Sequence, residues 1–210
     1  MRRFRWLLAV VLFGSAVLYG AFRLDVSVPS DRDLAAATAV RVDCDHDTWG
    51  CYGSGAIVSG DSVAARVLTN FHVVDGALAI RVVRGGATFA AHVTDEDCES
   101  DLAVVTIHPG VQLPTLPIAK AKAVVGQPVL ISAFRERRET FGSLVKYCDW
   151  TRVILEGHGA PGTSGSAYIS RGALVGVHRA SDYDANEAFG VGLRPVRQIL
   201  DSQIECKGDS

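Results

Sequence analysis

Ser164 lies in Ala160-Pro161-Gly162-Thr163-Ser164-Gly165-Ser166, where two glycines bracket a serine and a proline stiffens the approach. Such a loop can present a hydroxyl to a carbonyl, and glycine lets the chain turn backbone N–H groups toward the oxyanion that acyl transfer creates. Gly162 and Ser164 are the candidate donors of that oxyanion hole. A Gly-Xaa-Ser-Gly tetrapeptide alone is more often a turn, so the reading depends on partners. Serine is a poor nucleophile at neutral pH and needs a base, itself held in one tautomer by a third group. His72 is the best base among six histidines, because Leu68-Thr69-Asn70-Phe71-His72-Val73-Val74 puts it at the end of an apolar, strand-like run. Asp101 opens Asp101-Leu102-Ala103-Val104-Val105 and is the natural orienting carboxylate. Asp95 and Asp97 read as solvated members of an acidic loop, Asp95-Glu96-Asp97.

The elements that must position these residues are short. Apolar runs at Ala56-Ile57-Val58, Ala79-Ile80-Arg81-Val82-Val83, Leu102-Ala103-Val104-Val105 and Pro128-Val129-Leu130-Ile131 alternate with turn signals such as Ser59-Gly60-Asp61, Arg84-Gly85-Gly86 and His108-Pro109-Gly110. That pattern predicts an all-β fold of short antiparallel strands in a sandwich or barrels. The exception is the C-terminus, where Val196, Ile199, Leu200 and Ile204 follow Pro195 at helical spacing. No repeat of solenoid length is present.

Four segments in order, Gly53-Ser54-Gly55-Ala56-Ile57-Val58, Thr69-Asn70-Phe71-His72-Val73-Val74, Asp101-Leu102-Ala103-Val104 and Gly162-Thr163-Ser164-Gly165-Ser166, resemble the trypsin-like serine proteases. Within that family they are similar to the HtrA/Deg-like and glutamyl-endopeptidase branches. The resemblance implies two six-stranded antiparallel β-barrels, His72 and Asp101 from the first, Ser164 from the second, the site between them, and protein or peptide substrates cleaved through an acyl-enzyme. HtrA-like members append a PDZ domain, which is not expected here. Thr163 stands where secreted digestive members carry an Asp, so activation by a new N-terminal amine is not expected either. In glutamyl endopeptidases and related viral proteases a histidine in a Gly-Xaa-His segment lines the S1 pocket; His178 in Leu174-Val175-Gly176-Val177-His178-Arg179 has that place. Because neighbouring strand residues face opposite ways, one of His178 and Arg179 is expected to line the pocket and bind a carboxylate. That implies cleavage after Glu, less often Asp or Gln. Gly159 departs from the pattern, since those branches often have Thr or Ser there. The alternative is a packed His178 and a preference for small apolar P1 residues. The rival to an endopeptidase is an inactive binding protein on the same scaffold.

The bulk properties set the context. A 210-residue chain, 48% hydrophobic and 21% charged, can bury one core or two small barrels. A net charge of −2 without a basic run beyond the first residues gives no footprint for nucleic acid. Arg2, Arg3 and Arg5 precede the apolar run Trp6–Phe22, which reads as a signal anchor or signal peptide over residues 1–22. A linker over 23–36 and the protease domain over 37–210 follow, and the domain is expected outside the cytoplasm, membrane-anchored or secreted. Five cysteines, Cys44, Cys51, Cys98, Cys148 and Cys206, fit an oxidising compartment, with Cys44–Cys51 the expected bridge although spacing does not decide the pairing. No metal or cofactor is implied: His46, His92, His108 and His158 are scattered, and of these His158 alone is placed near the cleft.

Overall fold

The computed structural model describes residues 29–134, 138–157 and 159–201. The expected anchor, residues 23–28 of the expected linker, His158 and Ile204 lie outside the described residues. No helix among the described residues is long and apolar enough to cross a membrane.

The chain first folds as helix α1, Asp31–Thr38. Its N-cap is Ser30, whose hydroxyl accepts from the Asp33 N–H while the Asp33 carboxylate accepts from the Ser30 N–H, a reciprocal capping box. Residues 31–36 were expected to be linker. They are instead structural, because Ala35 is fully buried among residues of both barrels and the Asp31 carboxylate accepts from the Arg171 and Gly172 N–H groups.

Two closed six-stranded antiparallel barrels follow, as the resemblance implied. The first comprises β1 (Ala39–Asp45), β2 (Gly50–Gly60), β3 (Ala65–Thr69), β4 (Ala79–Arg84), β5 (Ala87–Asp97) and β6 (Leu102–Ile107), in the closed order β1-β2-β3-β6-β5-β4. The second comprises β7 (Pro128–Phe134), β8 (Arg138–Cys148), β9 (Arg152–Glu156), β10 (Ala167–Ser170), β11 (Ala173–Asp182) and β12 (Glu187–Val191), in the closed order β10-β11-β12-β9-β8-β7. Inward residues such as Val40, Val42, Ile57, Val67 and Val105 fill the first, and Val129, Ile131, Val153, Leu155 and Tyr168 fill the second. Closure gives each described strand a neighbour on both sides, although the longer ones, β11 among them, run on past one of their neighbours.

A third apolar cluster joins the barrels. Ala56, Leu68, Leu102 and Val104 of the first meet Leu130, Ile169, Leu174 and Val177 of the second. Over this seam lies the expected C-terminal helix, α3 (Leu193–Asp201), which buries Leu193, Val196 and Ile199. The seam fixes the two barrels against each other and with them the cleft between. Asp95 corrects the expectation of a solvated loop: it belongs to β5, is buried, and accepts from Arg66 Nη2 at 3.0 Å. A buried carboxylate is tolerated because that guanidinium, which also donates to the Leu200 carbonyl, pairs with it.

Candidate active site

His72 sits on the one-turn helix α2, Phe71–Val74, directly after β3. Asp101 sits where the chain turns into β6, with φ of +56°, a left-handed conformation that Asp tolerates better than most residues. Two bonds hold the pair in place: Asn70 Nδ2 donates to the Asp101 carbonyl at 2.8 Å, and the His72 backbone N–H donates to Asp101 Oδ1 at 3.0 Å. The His72 ring then places Nδ1 at 2.8 Å from Oδ2 and 3.0 Å from Oδ1 of Asp101. A carboxylate can only accept, so Nδ1 carries the proton and Nε2 is left with a lone pair facing the cleft. Asp101 is 6% exposed, whereas the His72 side chain is 47% exposed. The orienting charge is buried and the base is open to a substrate.

Ser164 is delivered to this pair by the second barrel. Its carbonyl accepts from the Ser54 N–H at 2.7 Å, and a Cβ on Gly53 would touch both the Ser164 carbonyl and Val73, the neighbour of His72. The fold thus pairs His72 with Asp101 directly and sets the Ser164 loop against β2, next to the helix that carries His72. No hydrogen bond joins Ser164 Oγ to the His72 ring among the described residues. Gly162 has φ of +88°, and the neighbouring N–H groups are spent on protein: Thr163 donates to the Ala160 carbonyl, Gly165 to that of His178, and Ser166 to that of Thr163. Among the described residues the Gly162 and Ser164 N–H groups donate to no protein acceptor. Gly165 admits no side chain, since a Cβ would lie 2.0 Å from the Ser54 carbonyl oxygen.

Ser54, quoted above only as part of a motif, is fully buried and ties this loop to the first barrel. Its Oγ donates to the Gly162 carbonyl at 2.8 Å and accepts from the Phe134 N–H at 2.8 Å. Its own carbonyl accepts from Thr69 Oγ1 at 2.7 Å. Fixing the Gly162 carbonyl fixes the plane of the peptide between Gly162 and Thr163, which links the two peptides whose N–H groups the oxyanion reading needs.

His178 is 2% exposed on β11. Its Nδ1 lies 2.8 Å from the hydroxyl of Tyr168, which is itself fully buried and has no other polar partner among the described residues. A buried hydroxyl proton needs an acceptor, which assigns the Tyr168 O–H as donor, Nδ1 as acceptor and Nε2 as the protonated nitrogen. Burial, aided by the nearby His72, pushes the His178 pKa down to about 4, so the ring is neutral at pH 7. Burial likewise raises the pKa of the Tyr168 hydroxyl. The ring packs under Gly159, where a Cβ would lie 3.0 Å from His178 Nε2 and 2.3 Å from Thr163 Oγ1. That clash explains the glycine where related sequences often carry Thr or Ser: Thr163 already fills the space, its hydroxyl donating to the Ala160 carbonyl. Ser181 completes the surroundings, accepting from the Gly159 N–H at 2.8 Å and lying 3.4 Å from His178 Nε2.

A match to the trypsin-like peptidase domain spans residues 53–177, from Gly53 in β2 to the residue before His178. The chain belongs to the trypsin-like peptidase family. Among curated relatives of this peptidase domain, HhoA of Synechocystis is 32% identical over 167 residues, covering 70% of this chain and 40% of that protein. Human serine protease HTRA4 is 41% identical over 70 residues, 33% of this chain and 14% of its own. The matched stretch thus spans less than half the length of either. Similar solved structures include the active form of the Rv3671c protease of M. tuberculosis, with a TM-score of 0.75 at 20% identity over 85% of this chain and 86% of that one. A serine endoprotease from Yersinia pestis gives 0.75 at 23% identity over 86% and 68%. These two likenesses carry the fold of the peptidase domain.

Arg179 does not share the surroundings of His178. A bulge in the pairing with β12 falls between His178 and Ala180, and Arg179 turns across the barrel interface to place Nε 3.3 Å from Asp101 Oδ2. The carboxylate it meets is the peptidase domain's own. The expected Cys44–Cys51 bridge is present, and Cys51 Sγ lies 3.4 Å from the Val73 carbonyl at the end of α2. With both sulfurs so bonded, the nearby His46 gains no thiolate partner for a metal. Cys148 is free, half-buried, and burial raises its pKa.

Proposed function

We propose that this peptidase domain is a serine endopeptidase, with Ser164 as nucleophile, His72 as general base and Asp101 as the group that orients His72. The observation that carries the reading is the His72–Asp101 pair, buried on its acidic side and open on its basic side, beside a serine loop whose Gly162 and Ser164 N–H groups have no protein acceptor among the described residues. His72 Nε2 takes the proton as Ser164 Oγ attacks the scissile carbonyl, and Asp101 stabilises the resulting imidazolium. The Gly162 and Ser164 donors then hold the oxyanion; losing one such donor costs about 3 kcal/mol in the barrier. His72 passes its proton to the leaving amine, and water deacylates Ser164 by the same route in reverse. A binding protein that kept the scaffold would have no need of the His72 tautomer that Asp101 enforces.

His178 is the proposed P1 determinant. Locked as the Nε2–H tautomer, it offers a donor to a side-chain carboxylate or amide oxygen, which supports cleavage after Glu, with Gln and Asp following. Because the ring is neutral, discrimination between Glu and Gln is modest at pH 7. We place the domain outside the cytoplasm, anchored through its N-terminal apolar run or secreted, a reading that the Cys44–Cys51 disulfide supports. The test is cleavage-site profiling with a mixed peptide library. Enrichment of Glu and Gln at P1 is expected; enrichment of small apolar residues alone would remove His178 from this role.

A further inference from the structure

Beside Asp101, on the side reached by Arg179, lies a cavity of about 580 Å³. Its walls are Glu99, from the turn leading into Asp101, and Arg152, Arg179, Phe189 and Arg194 from the second barrel and the start of α3. Three guanidinium groups face one carboxylate, in a chain whose net charge is −2. An adjoining hollow of about 460 Å³ shares Arg194 and adds Arg197 and Asp201. Arg179 is engaged by Asp101, and Arg197 donates to the Ala119 and Lys120 carbonyls and stacks on Trp150. Arg152 and Arg194 are different. Arg152 rests on the Tyr147 ring, 5.2 Å from its centre, and neither guanidinium has a hydrogen-bond or ion-pair partner among the described residues. Each therefore keeps its fork of N–H donors, shaped for bidentate capture of a carboxylate.

The strand beside the cavity supplies the second observation. Pairing of β11 with β10 ends at Val177 opposite Ala167, so past His178 the backbone of β11 has its β12 neighbour on one side only. The Gly165 N–H donates to the His178 carbonyl, which puts the start of this free edge against the nucleophile loop. An extended peptide can add to such an edge. Every strand pair in the barrel is antiparallel, and a peptide added in that sense has its C-terminal end at Ser164 and its N-terminal residues running along residues 179–182, past the arginine-lined cavity.

We propose that this cavity is a second specificity site, which takes an acidic side chain two to four positions N-terminal to the scissile bond through Arg152 and Arg194. The inference rests on the endopeptidase reading and extends its substrate class to peptides with acidic residues before the cleaved bond.

The test uses the full chain carrying Ser164→Ala and fluorescent peptides with a fixed Glu at P1 and either Glu or Gln at P2 to P4. The acidic peptides are expected to bind about tenfold more tightly, as charge-assisted bonds in a half-open groove allow. The difference should shrink in 0.5 M NaCl and vanish when Arg152→Gln and Arg194→Gln are added, with binding of the Gln peptides unchanged. Equal binding of the two series to the parent protein, or a preference that survives both substitutions, would overturn the proposal. The outcome does not depend on catalysis, so a failure here is distinguishable from failure of the Ser164 protein itself to react with an active-site probe.

Discussion

Replacing Tyr168 by Phe removes a single oxygen from the fully buried end of a ring whose remaining contacts stay in place, so it tests what holds His178. In the native structure the Tyr168 hydroxyl donates to His178 Nδ1 at 2.8 Å, and both side chains are shielded from water. Without that donor the Nδ1 lone pair is buried and unpaired, at a cost of about 1–3 kcal/mol. The proton is also freed to move to Nδ1, which leaves Nε2 as a bare lone pair facing the P1 carboxylate. Losing the Nε2–H bond to a charged P1 carboxylate, worth about 1–3 kcal/mol, corresponds to roughly 5- to 150-fold in kcat/KM for a Glu substrate. The thermal midpoint should fall by a few degrees, at about 2–4 °C per kcal/mol for a domain of this size. The assay compares kcat/KM for paired peptides with Glu or Ala at P1, together with the rate of labelling by a fluorophosphonate. The Glu peptide should lose selectively while labelling is unchanged, because Tyr168 touches neither His72 nor Asp101. An equal loss on both peptides, or no loss on either, would refute the assignment of His178 as the P1 donor.

Three further outcomes follow from the same contacts. His178 has a folded pKa below its unfolded value near 6.5, so stability is full above pH 6.5 and is lost as pH falls toward about 4; the unfolded chain binds the extra proton in that window. Two and a half pH units amount to about 3 kcal/mol, and urea melts between pH 7 and 4.5 should show a loss that is absent in a folded His178→Gln variant. Ser54→Ala leaves the Gly162 carbonyl and the Phe134 N–H without their partner; kcat should fall about tenfold or more with KM little changed, read by steady-state kinetics. Gly165→Ala would drive a methyl to 2.0 Å from the Ser54 carbonyl at a φ of +82°, which should cost more than about 3 kcal/mol and remove soluble folded protein, checked by circular-dichroism melting.

The sequence was most informative where function leaves a local mark. Ser164 near glycines, His72 at the end of an apolar run and Asp101 at the head of another are each readable within a few residues, and the fold pairs the last two and ties the Ser164 loop to β2 beside them. The strands were legible because turn residues punctuate their apolar runs, and α3 because its apolar spacing is helical. Helix α1 left a weaker mark, Ser30 followed by Asp33, inside a segment whose composition suits a linker. The rest depended on distant partners. Ser54 earns its role only by meeting Gly162, 108 residues away. Tyr168 meets His178 because β10 and β11 pair with a particular register and a bulge, which alternation alone does not specify. The same limit applies to Arg179, which a bulge turns onto Asp101, and to Asp95 on β5, which pairs with Arg66 from β3, across the intervening β6.

The most direct test of the central claim is fluorophosphonate labelling of the folded protein, compared with Ser164→Ala and His72→Ala. The account predicts a single covalent adduct on Ser164, lost in the first variant and strongly slowed in the second. A folded protein that takes up no label, or labels equally well without His72, would contradict it.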